Sequence, residues 1–308
     1  MPSRIRHACV KTFTAVYDLA VGPVSYDFAT WLIAAEMARK REGADHLHII
    51  IRPKPDGVDG WFRDKTALYS AGEMHWRLWH LVIPLCRLIR ATVAILPPDL
   101  VPPPSWVLLT KRLGAEAGPL RPLISHHAGP IIAAARAGEA VPRFSAGEHA
   151  VRSVEALLED PERTVTMTLR ETYEPGRNAE RAEWLDARDA IKAAGYEVIV
   201  VEDTSRALRE GTGFYELNVE LRMALYDVAA LNLHCHNGSQ VLSWFSDQSW
   251  MAFDAALPAE WRAHWEKYLG LKPGEQLPWA REDQRLVYEH ARAEVILREF
   301  RRWAGATS

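Results

Sequence analysis

The sequence predicts an α/β protein of two Rossmann-like domains that face each other across a cleft, each with a mostly parallel sheet. Two strand–helix–strand patterns support this prediction, one at residues 8–51 and a clearer one at residues 163–204. The chain of 308 residues is also long enough for two domains of ordinary size.

The later pattern begins with alternating apolar residues and threonines at 165–169, which is typical of a half-buried strand. A polar loop occupies 171–178. A helix is then expected over 179–194, ended by Gly195, and a second strand at 196–201. In a parallel sheet, the loop after the first strand lies at the carboxyl edge, where open α/β sheets bind ligands.

The earlier pattern has the same plan. A strand is expected at residues 8–17, followed by a loop at 18–27, a helix at 28–41 and a strand at 46–51. The repetition of one plan about 150 residues apart is what favours two similar domains over one large domain.

Domain boundaries follow from these patterns. We expect an N-terminal, acceptor-side domain at 1–140 and a C-terminal, donor-binding domain at 141–281, with the crossing at 141–144. The remaining residues, 282–308, are expected to form a helix that packs back on the first domain.

Composition and charge disfavour several classes of protein. The formal net charge of −3 argues against non-specific binding of nucleic acid, which needs a basic surface. Three widely spaced cysteines indicate neither a disulfide framework nor a zinc site. The first residues lack an apolar run of signal-peptide length, so the expected location is the cytoplasm.

One segment leaves a membrane role open. No run of 18 apolar residues without charge exists, so no spanning helix is expected. Residues 76–90 nevertheless combine aromatic and basic side chains, which suits peripheral contact with the inner face of a membrane. The favoured alternative is a buried helix that runs into a strand ending near Leu96.

Two arginines belong to the loop after the first strand of the second domain. Arg170 lies at its edge, and Arg177 precedes Asn178. A guanidinium group is always charged and can donate two hydrogen bonds to one phosphate. We therefore predict that Arg170, Arg177 and Asn178 bind a phosphate or a sugar; the alternative is a solvated turn in which the arginines pair with neighbouring glutamates.

A later strand-to-helix loop suits the same ligand. Asn237, Gly238 and Ser239 follow a short strand at 231–235 and precede a predicted helix at 241–245. Backbone N–H groups and a helix N-terminus at such a place favour an anion. The alternative is a tight turn, which Asn-Gly can form without any ligand.

Absent motifs narrow the chemistry. The sequence holds no G-x-x-x-x-G-K-[ST], no G-x-G-x-x-G after either first strand and no G-x-S-x-G. A P-loop nucleotidase, a dinucleotide oxidoreductase and a serine acyl transferase are therefore disfavoured. Two pairs of histidines, His126-His127 and His234/His236, lack a metal-binding spacing, so no metal site is predicted.

The loop after the first strand is predicted to form the acceptor side of the cleft. Asp18, at the end of that strand, is the candidate general base. Gly22, Tyr26 and Asp27 complete the acceptor-side loop, and Asp27 is also expected to cap the helix that follows.

Four segments suggest a family: AVYDLAVGPVSYDF, TLRETYEPGRN, GYEVIVVEDT and ALYDVAALNLHCHNGS. With the two-unit plan, they resemble bacterial glycosyltransferase-like proteins of the GT-B fold, enzymes with two Rossmann-like domains that are associated with surface polysaccharides. In fucosyltransferase-like members, an arginine after the first strand of the C-terminal domain and a small hydroxyl residue in a later loop contact the donor phosphates. The resemblance gives these roles to Arg170 and Ser239. The sequence differs from those members at the strand end, where Leu169-Arg170-Glu171 replaces a His-x-Arg-Arg pattern.

The resemblance implies a metal-independent glycosyltransferase that moves a sugar from a nucleotide-diphosphate sugar to a surface-polysaccharide, glycan or lipid-linked acceptor. Such an enzyme needs no cofactor besides this donor substrate, and no nucleic acid is expected as a partner. Two alternatives stay open: a sugar-nucleotide epimerase of the same architecture, and a catalytically silent GT-B-like scaffold that acts by protein–protein contact.

Overall fold

The computed structural model describes residues 10–19, 22–52, 70–96, 124–172, 178–255 and 259–307. Within these ranges, the fold is α/β with two separate sheets whose strands all pair in parallel, as the sequence predicts.

The first sheet has the order β1–β2–β3. The described elements of this first unit are β1 (Thr12–Asp18), α1 (Asp27–Arg41), β2 (His46–Arg52), α2 (Ala71–Arg77), a π-helical segment (Leu78–Val82), α3 (Ile83–Arg87), β3 (Thr92–Ile95) and α4 (Ile124–Arg136). The segment that left a membrane role open is therefore a helix leading into a strand, as favoured. No helix in the described ranges is long and apolar enough to span a membrane.

The second sheet has the order β5–β4–β6–β7–β8. Its unit consists, in the described ranges, of α5 (Glu148–Glu155), a 3-10 turn (Pro161–Arg163), β4 (Thr164–Thr168), α6 (Arg181–Ala193), β5 (Glu197–Val201), α7 (Thr204–Glu210), α8 (Val219–Val228), β6 (Leu231–His234), α9 (Gln240–Trp244), β7 (Trp250–Ala252), α10 (Ala259–Tyr268), β8 (Gln284–Leu286) and α11 (Ala293–Thr307). The chain leaves β4 toward β5 and then returns to the other side of β4 as β6. The crevice between β4 and β6 is thus the topological switch point, the usual ligand site of such sheets.

Helix α1 lies at the centre of the molecule because it is apolar on nearly every side. Phe28, Trp31 and Leu32 are fully buried, and the Phe28 and Trp31 rings pack on Tyr17 of β1. A helix that is apolar all round must be covered on all faces. Here it is covered by the first sheet, by α4 and by α9, and one apolar cluster includes residues of both sheets.

Polar contacts also join the two units. The buried Arg77 of α2 donates to the Ser205 hydroxyl of α7 at 3.0 Å. The backbone N–H of Phe144 donates to the carbonyl of Phe245 at 2.6 Å, which ties the predicted crossing at 141–144 to the end of α9. The domain boundaries and the cleft stay predictions.

The packing of the last helix differs from the expectation. We expected residues 282–308 to pack back on the first domain. Instead, α11 packs against α6, and its Ile296, Phe300 and Trp303 belong to the apolar cluster of the second sheet. Apolar residues of α6 and α11 belong to one cluster with the second sheet, and residues 284–286 of the same stretch form β8 rather than helix.

Candidate functional site

The candidate site is the carboxyl edge of the second sheet at the switch point. Arg170 lies two residues beyond β4, and His236 and Asn237 lie two and three residues beyond β6. Because β4 and β6 are paired parallel neighbours, these side chains emerge together.

Arg170 is held at this edge. Its side chain is largely buried, with 8% of the residue exposed, and Nη1 donates to the carbonyl of His236 at 3.4 Å. Its own carbonyl accepts from the N–H of Ala179 at 2.9 Å, which fixes the start of the loop. A guanidinium group in such a place is a candidate for a charge-assisted bond to a ligand anion.

Asn237 locks the switch point. Its Nδ2 donates to the carbonyl of Leu169 at 3.3 Å, and its Oδ1 accepts from the Ser239 hydroxyl and from the Gln240 N–H, both at 2.9 Å. The side chain thus connects the end of β4 to the start of α9. The contacts within the loop correspond to the tight-turn alternative, and a role of Asn237 or Ser239 in phosphate binding stays a prediction.

Gly238 is where the two predicted halves of the site meet. A Cβ placed on Gly238 would lie 3.3 Å from Cβ and 3.5 Å from Cδ2 of Tyr26, so the two residues touch. Tyr26 comes from the predicted acceptor-side loop and is buried there. Beneath its ring, 5.8 Å from the centroid, lies the guanidinium carbon of Arg222. The structure therefore brings together two loops that the sequence placed in different domains.

The other acceptor-side residues serve local structure. Gly22 lies so close to the Tyr17 ring that a Cβ there would be 2.5 Å from Cζ, and its N–H donates to the carbonyl of Asp18. The expectation that Asp27 caps α1 is wrong. Tyr26 occupies the N-cap position, and Asp27 is the first helical residue, where its own N–H donates to the Ser25 hydroxyl at 3.3 Å.

Asp18, the candidate base, ends β1 as expected. Its Oδ2 lies 3.3 Å from Nη1 of Arg52, which ends the neighbouring strand β2. The carboxylate is thus part of an ion pair at the carboxyl edge of the first sheet. Its role in proton transfer stays a prediction.

Asn178 closes the loop that follows Arg170. Its Oδ1 accepts from the backbone N–H of Thr172 at 2.8 Å, and its Nδ2 donates to the carbonyl of Thr172 at 3.0 Å. Both ends of this amide are used to hold the two ends of the loop together. The prediction for Arg177 lies outside the described residues.

A charged network borders the site on the β5 side, and its geometry was not foreseen from the sequence. Glu171 accepts hydrogen bonds from Arg181 and Arg206, and Glu202, just beyond β5, accepts from Arg181 at 2.6 and 2.8 Å. Burial, and then the hydrogen bond with Glu202, raises the pKa of Glu171. Burial acts to raise the pKa of Glu202, but the hydrogen bonds with Arg181 and Glu171 and the charges of Arg181 and Arg206 together outweigh burial and leave this pKa lowered. Arg181 and Arg206 thus hold the carboxylate of Glu171.

Buried polar side chains form the floor of the site. Arg222 and Tyr226 of α8 and His234 of β6 are fully buried below Tyr26 and Gly238. Arg222 donates to the carbonyl of Tyr215 at 3.1 Å, and the Tyr226 hydroxyl is 2.8 Å from that of Thr168. Sequence reasoning did not identify these residues as part of the site, because no motif marks Arg222, Tyr226 or His234.

No metal centre emerges from the part of the chain that the structure describes. Its His, Cys, Asp and Glu residues form no group of three or more that could hold an ion.

Comparison with known proteins gives a limited result. No protein-family model and no curated protein matches the chain. Among solved structures, it is similar to a glycosyl transferase family 9 protein from Veillonella parvula, at 8% identity and a TM-score of 0.47, with 97% of this chain and 99% of that chain covered. It is similar to E. coli ADP-heptose lps heptosyltransferase II at 7% identity and a TM-score of 0.42, covering 96% and 99% of the two chains. It is also similar to TibC, an iron-containing dodecameric glycosyltransferase from enterotoxigenic E. coli, at 15% identity and a TM-score of 0.41, covering 79% and 57%.

These proteins are of the class that the sequence resembles. Because every TM-score is below 0.5 and every identity is 15% or less, the likeness does not by itself support a family or an activity for this chain.

Proposed function

We propose that the protein is a glycosyltransferase that binds a nucleotide-diphosphate sugar at the carboxyl edge of the second sheet and transfers the sugar to a glycan or lipid-linked acceptor. The observation that carries the proposal is the position of Arg170. It is a largely buried guanidinium group at the switch point of a parallel sheet, beside the Asn237–Ser239 loop.

The charge of Arg170 fits the demands of the reaction. When the bond between the sugar and the diphosphate breaks, negative charge grows on the leaving phosphate oxygen. A fixed positive charge stabilises that charge more strongly at a site shielded from water than in solution. In this proposal, Arg170, with Arg177 from the same loop, supplies that charge, so that transfer needs no metal ion.

The contact between Tyr26 and Gly238 fits an acceptor that enters from the first unit. An acceptor bound along the loop of Tyr26 and Asp27 would lie next to the donor loop without any large movement of either sheet. Asp18 is the candidate base on that side, released from Arg52 or acting beside it.

Ligand binding tests the proposal directly. We expect a panel of UDP-, GDP- and ADP-sugars to contain at least one ligand that raises the melting temperature, since a ligand present at 100 times its Kd stabilises the folded state by about 2.7 kcal/mol. Arg170→Ala should weaken that ligand by about 10- to 100-fold, because hydrogen bonds to charged groups contribute roughly 1.5–3 kcal/mol each.

The matched control is Arg152→Ala, which removes an exposed guanidinium from α5 and should leave binding unchanged. Equal affinity in the Arg170→Ala variant and in wild type would show that the donor is bound elsewhere. Product analysis separates the alternatives: an epimerase converts the nucleotide sugar without an acceptor, and a silent scaffold shifts its melting temperature with no member of the panel.

A further inference from the structure

We propose that His290 is a second ligand-binding residue of the donor site, hydrogen-bonded to a hydroxyl group of the bound nucleotide sugar, and that Asp254 positions it. This inference rests on the proposed function and deepens it, because it concerns the sugar or ribose part of the donor rather than its phosphates.

The histidine is oriented by a carboxylate. Nδ1 of His290 lies 3.2 Å from Oδ1 of Asp254, which also accepts from the backbone N–H of Ala291 at 3.1 Å. The imidazole is 70% exposed, whereas the Asp254 side chain is only 22% exposed. Bonding of Nδ1–H to the carboxylate selects the tautomer whose Nε2, on the far side of the ring, is an acceptor. An acceptor of this kind suits a hydroxyl group.

Asp254 adopts an unusual backbone conformation to make this contact. Its φ is +55°, in the left-handed region that non-glycine residues seldom occupy, and Arg90 is the other non-glycine residue of the described ranges with a positive φ. Its own N–H donates to the carbonyl of Glu289 at 3.2 Å, so the ends of β7 and β8 are tied together at this point. Such conformations are retained where the surroundings require them, and they concentrate at functional sites.

The pair lies in line with Arg170 along the same edge of the sheet. Sγ of Cys235, the residue that follows β6, is 4.0 Å from Oδ2 of Asp254. On its other side, Cys235 interacts with Arg170, whose charge offsets part of the rise that burial imposes on the thiol pKa. The order along the edge is therefore Arg170 after β4, Cys235 after β6 and Asp254 after β7, with His290 after β8 bonded to it.

This spacing fits the shape of the ligand. Neighbouring strands are about 4.8 Å apart, so the positions of Arg170 and Asp254 are separated by roughly 10 Å. One phosphate group cannot contact both residues over such a distance. A nucleotide sugar with its diphosphate on Arg170, however, extends its ribose on one side and its sugar on the other. Both groups carry hydroxyls, and either one could be the partner of Nε2.

Calorimetry with four variants tests the inference: His290→Ala, His290→Gln, Arg170→Ala and the control His149→Ala, which removes an exposed imidazole from α5. The probes are UDP-, GDP- and ADP-sugars, the corresponding nucleoside diphosphates and inorganic pyrophosphate. We expect His290→Ala to weaken the nucleotide sugar by about 3- to 10-fold, the range of one neutral hydrogen bond, and to leave pyrophosphate unchanged. His290→Gln should recover part of the loss because its amide oxygen is an acceptor, and Arg170→Ala should weaken both probes.

The nucleoside diphosphates identify the hydroxyl. If the loss in His290→Ala persists with them, the partner is the ribose; if it disappears, the partner is the transferred sugar. Both results support the inference. The positioning role of Asp254 predicts that Asp254→Asn weakens the nucleotide sugar in wild type but adds nothing in the His290→Ala background.

Two results would overturn the inference while the proposed function stands: equal affinity in the His290→Ala and His149→Ala variants, or an equal loss of pyrophosphate binding, which would mean a charge contact. If wild type binds no probe at all, the proposed function fails and the inference fails with it.

Discussion

The contact between Tyr26 and Gly238 joins the two loops of the candidate site, and a substitution series at Gly238 tests it. The φ of Gly238 is not in the left-handed region, so a side chain at this position meets only steric resistance. The new Cβ of Gly238→Ala would lie 3.3, 3.5 and 3.8 Å from three Tyr26 atoms, against an ordinary carbon separation of about 3.5–4.0 Å. We expect Gly238→Ala to lower the free energy of unfolding by about 1 kcal/mol and Gly238→Val by about 3 kcal/mol, the two ends of the range for overpacking.

Urea denaturation at neutral pH measures both losses. The matched control is Gly72→Ala in α2, where a Cβ meets nothing within 4 Å and a helix gains about 0.5–1 kcal/mol from alanine. Tyr26→Ala supplies a double-mutant cycle. If the tyrosine ring is the obstacle, Gly238→Val should be less destabilising in the Tyr26→Ala background by about 1–2 kcal/mol.

Additive losses in that cycle would mean that the ring carbons do not oppose the new side chain; the nearest atom, the Tyr26 Cβ, would then be the obstacle, since alanine keeps it. A Gly238→Val variant as stable as wild type would refute the contact. In that case, the acceptor-side loop would not lie against the donor loop, and donor and acceptor would not meet there.

Three further predictions concern pH and the surface. Burial raises the pKa of Asp227 to about 6, so between about pH 4 and pH 6 the folded state holds a proton that the unfolded chain has lost. The free energy of unfolding should therefore fall by up to ~3 kcal/mol as the pH rises from 4 to 6, and urea denaturation should show a smaller fall in Asp227→Asn. Burial, and then the charge of Arg222, lowers the pKa of His234 to about 3, so below about pH 6.5 the unfolded chain binds a proton that the folded state does not bind. The free energy of unfolding should therefore fall as the pH drops from 6.5 to 3. A His234→Gln variant whose free energy of unfolding changes with pH as steeply as that of wild type would contradict this. Trp79 is 49% exposed, so Trp79→Ser should change stability by less than about 0.5 kcal/mol, and it should reduce co-sedimentation with anionic vesicles if residues 76–90 contact a membrane; a wild-type protein that stays in the supernatant would refute that contact.

The sequence predicts those parts of the fold in which neighbouring residues determine the structure. Strand β4 was located by its alternating residues at 165–169, although it is buried on both faces rather than half-buried as that pattern predicts. Helix α6 follows from its apolar period and from Gly195, whose φ of +87° matches its predicted place at the helix end. The prediction that Asp27 caps α1 was wrong because an acidic residue suits the first turn of a helix as well as its cap, so local chemistry does not decide between the two positions. The N-cap position is instead occupied by Tyr26, which contacts Gly238, and a contact between residues so distant in the chain has no local signal.

The site divides in the same way. The position of Arg170 just beyond a strand could be predicted, because the end of a strand and a charged side chain are both visible in a short stretch of sequence; its role stays a prediction. The partners of Glu171 and the contacts of Arg222, Asp254 and His290 could not be, since each depends on residues distant in the chain. The expected position of the last helix failed for the same reason: an apolar stripe shows that a helix packs, but not which sheet it covers.

Buried polar bonds behind the switch point explain why Arg170 and His236 hold a fixed relation. The Thr166 hydroxyl donates to Asn232 at 2.7 Å between β4 and β6, and His234 lies 2.8 Å from the Ser243 hydroxyl of α9. A buried hydrogen-bonded pair is costly to break, and a one-residue slip of β6 against β4 would break the pair between Thr166 and Asn232. The register of the two strands is therefore fixed by chemistry inside the sheet, and the positions of Arg170 and Asn237 at its edge follow from that register. A site held in this way loses little conformational freedom on binding, so we expect most of the interaction energy of a donor phosphate with Arg170 to appear as affinity.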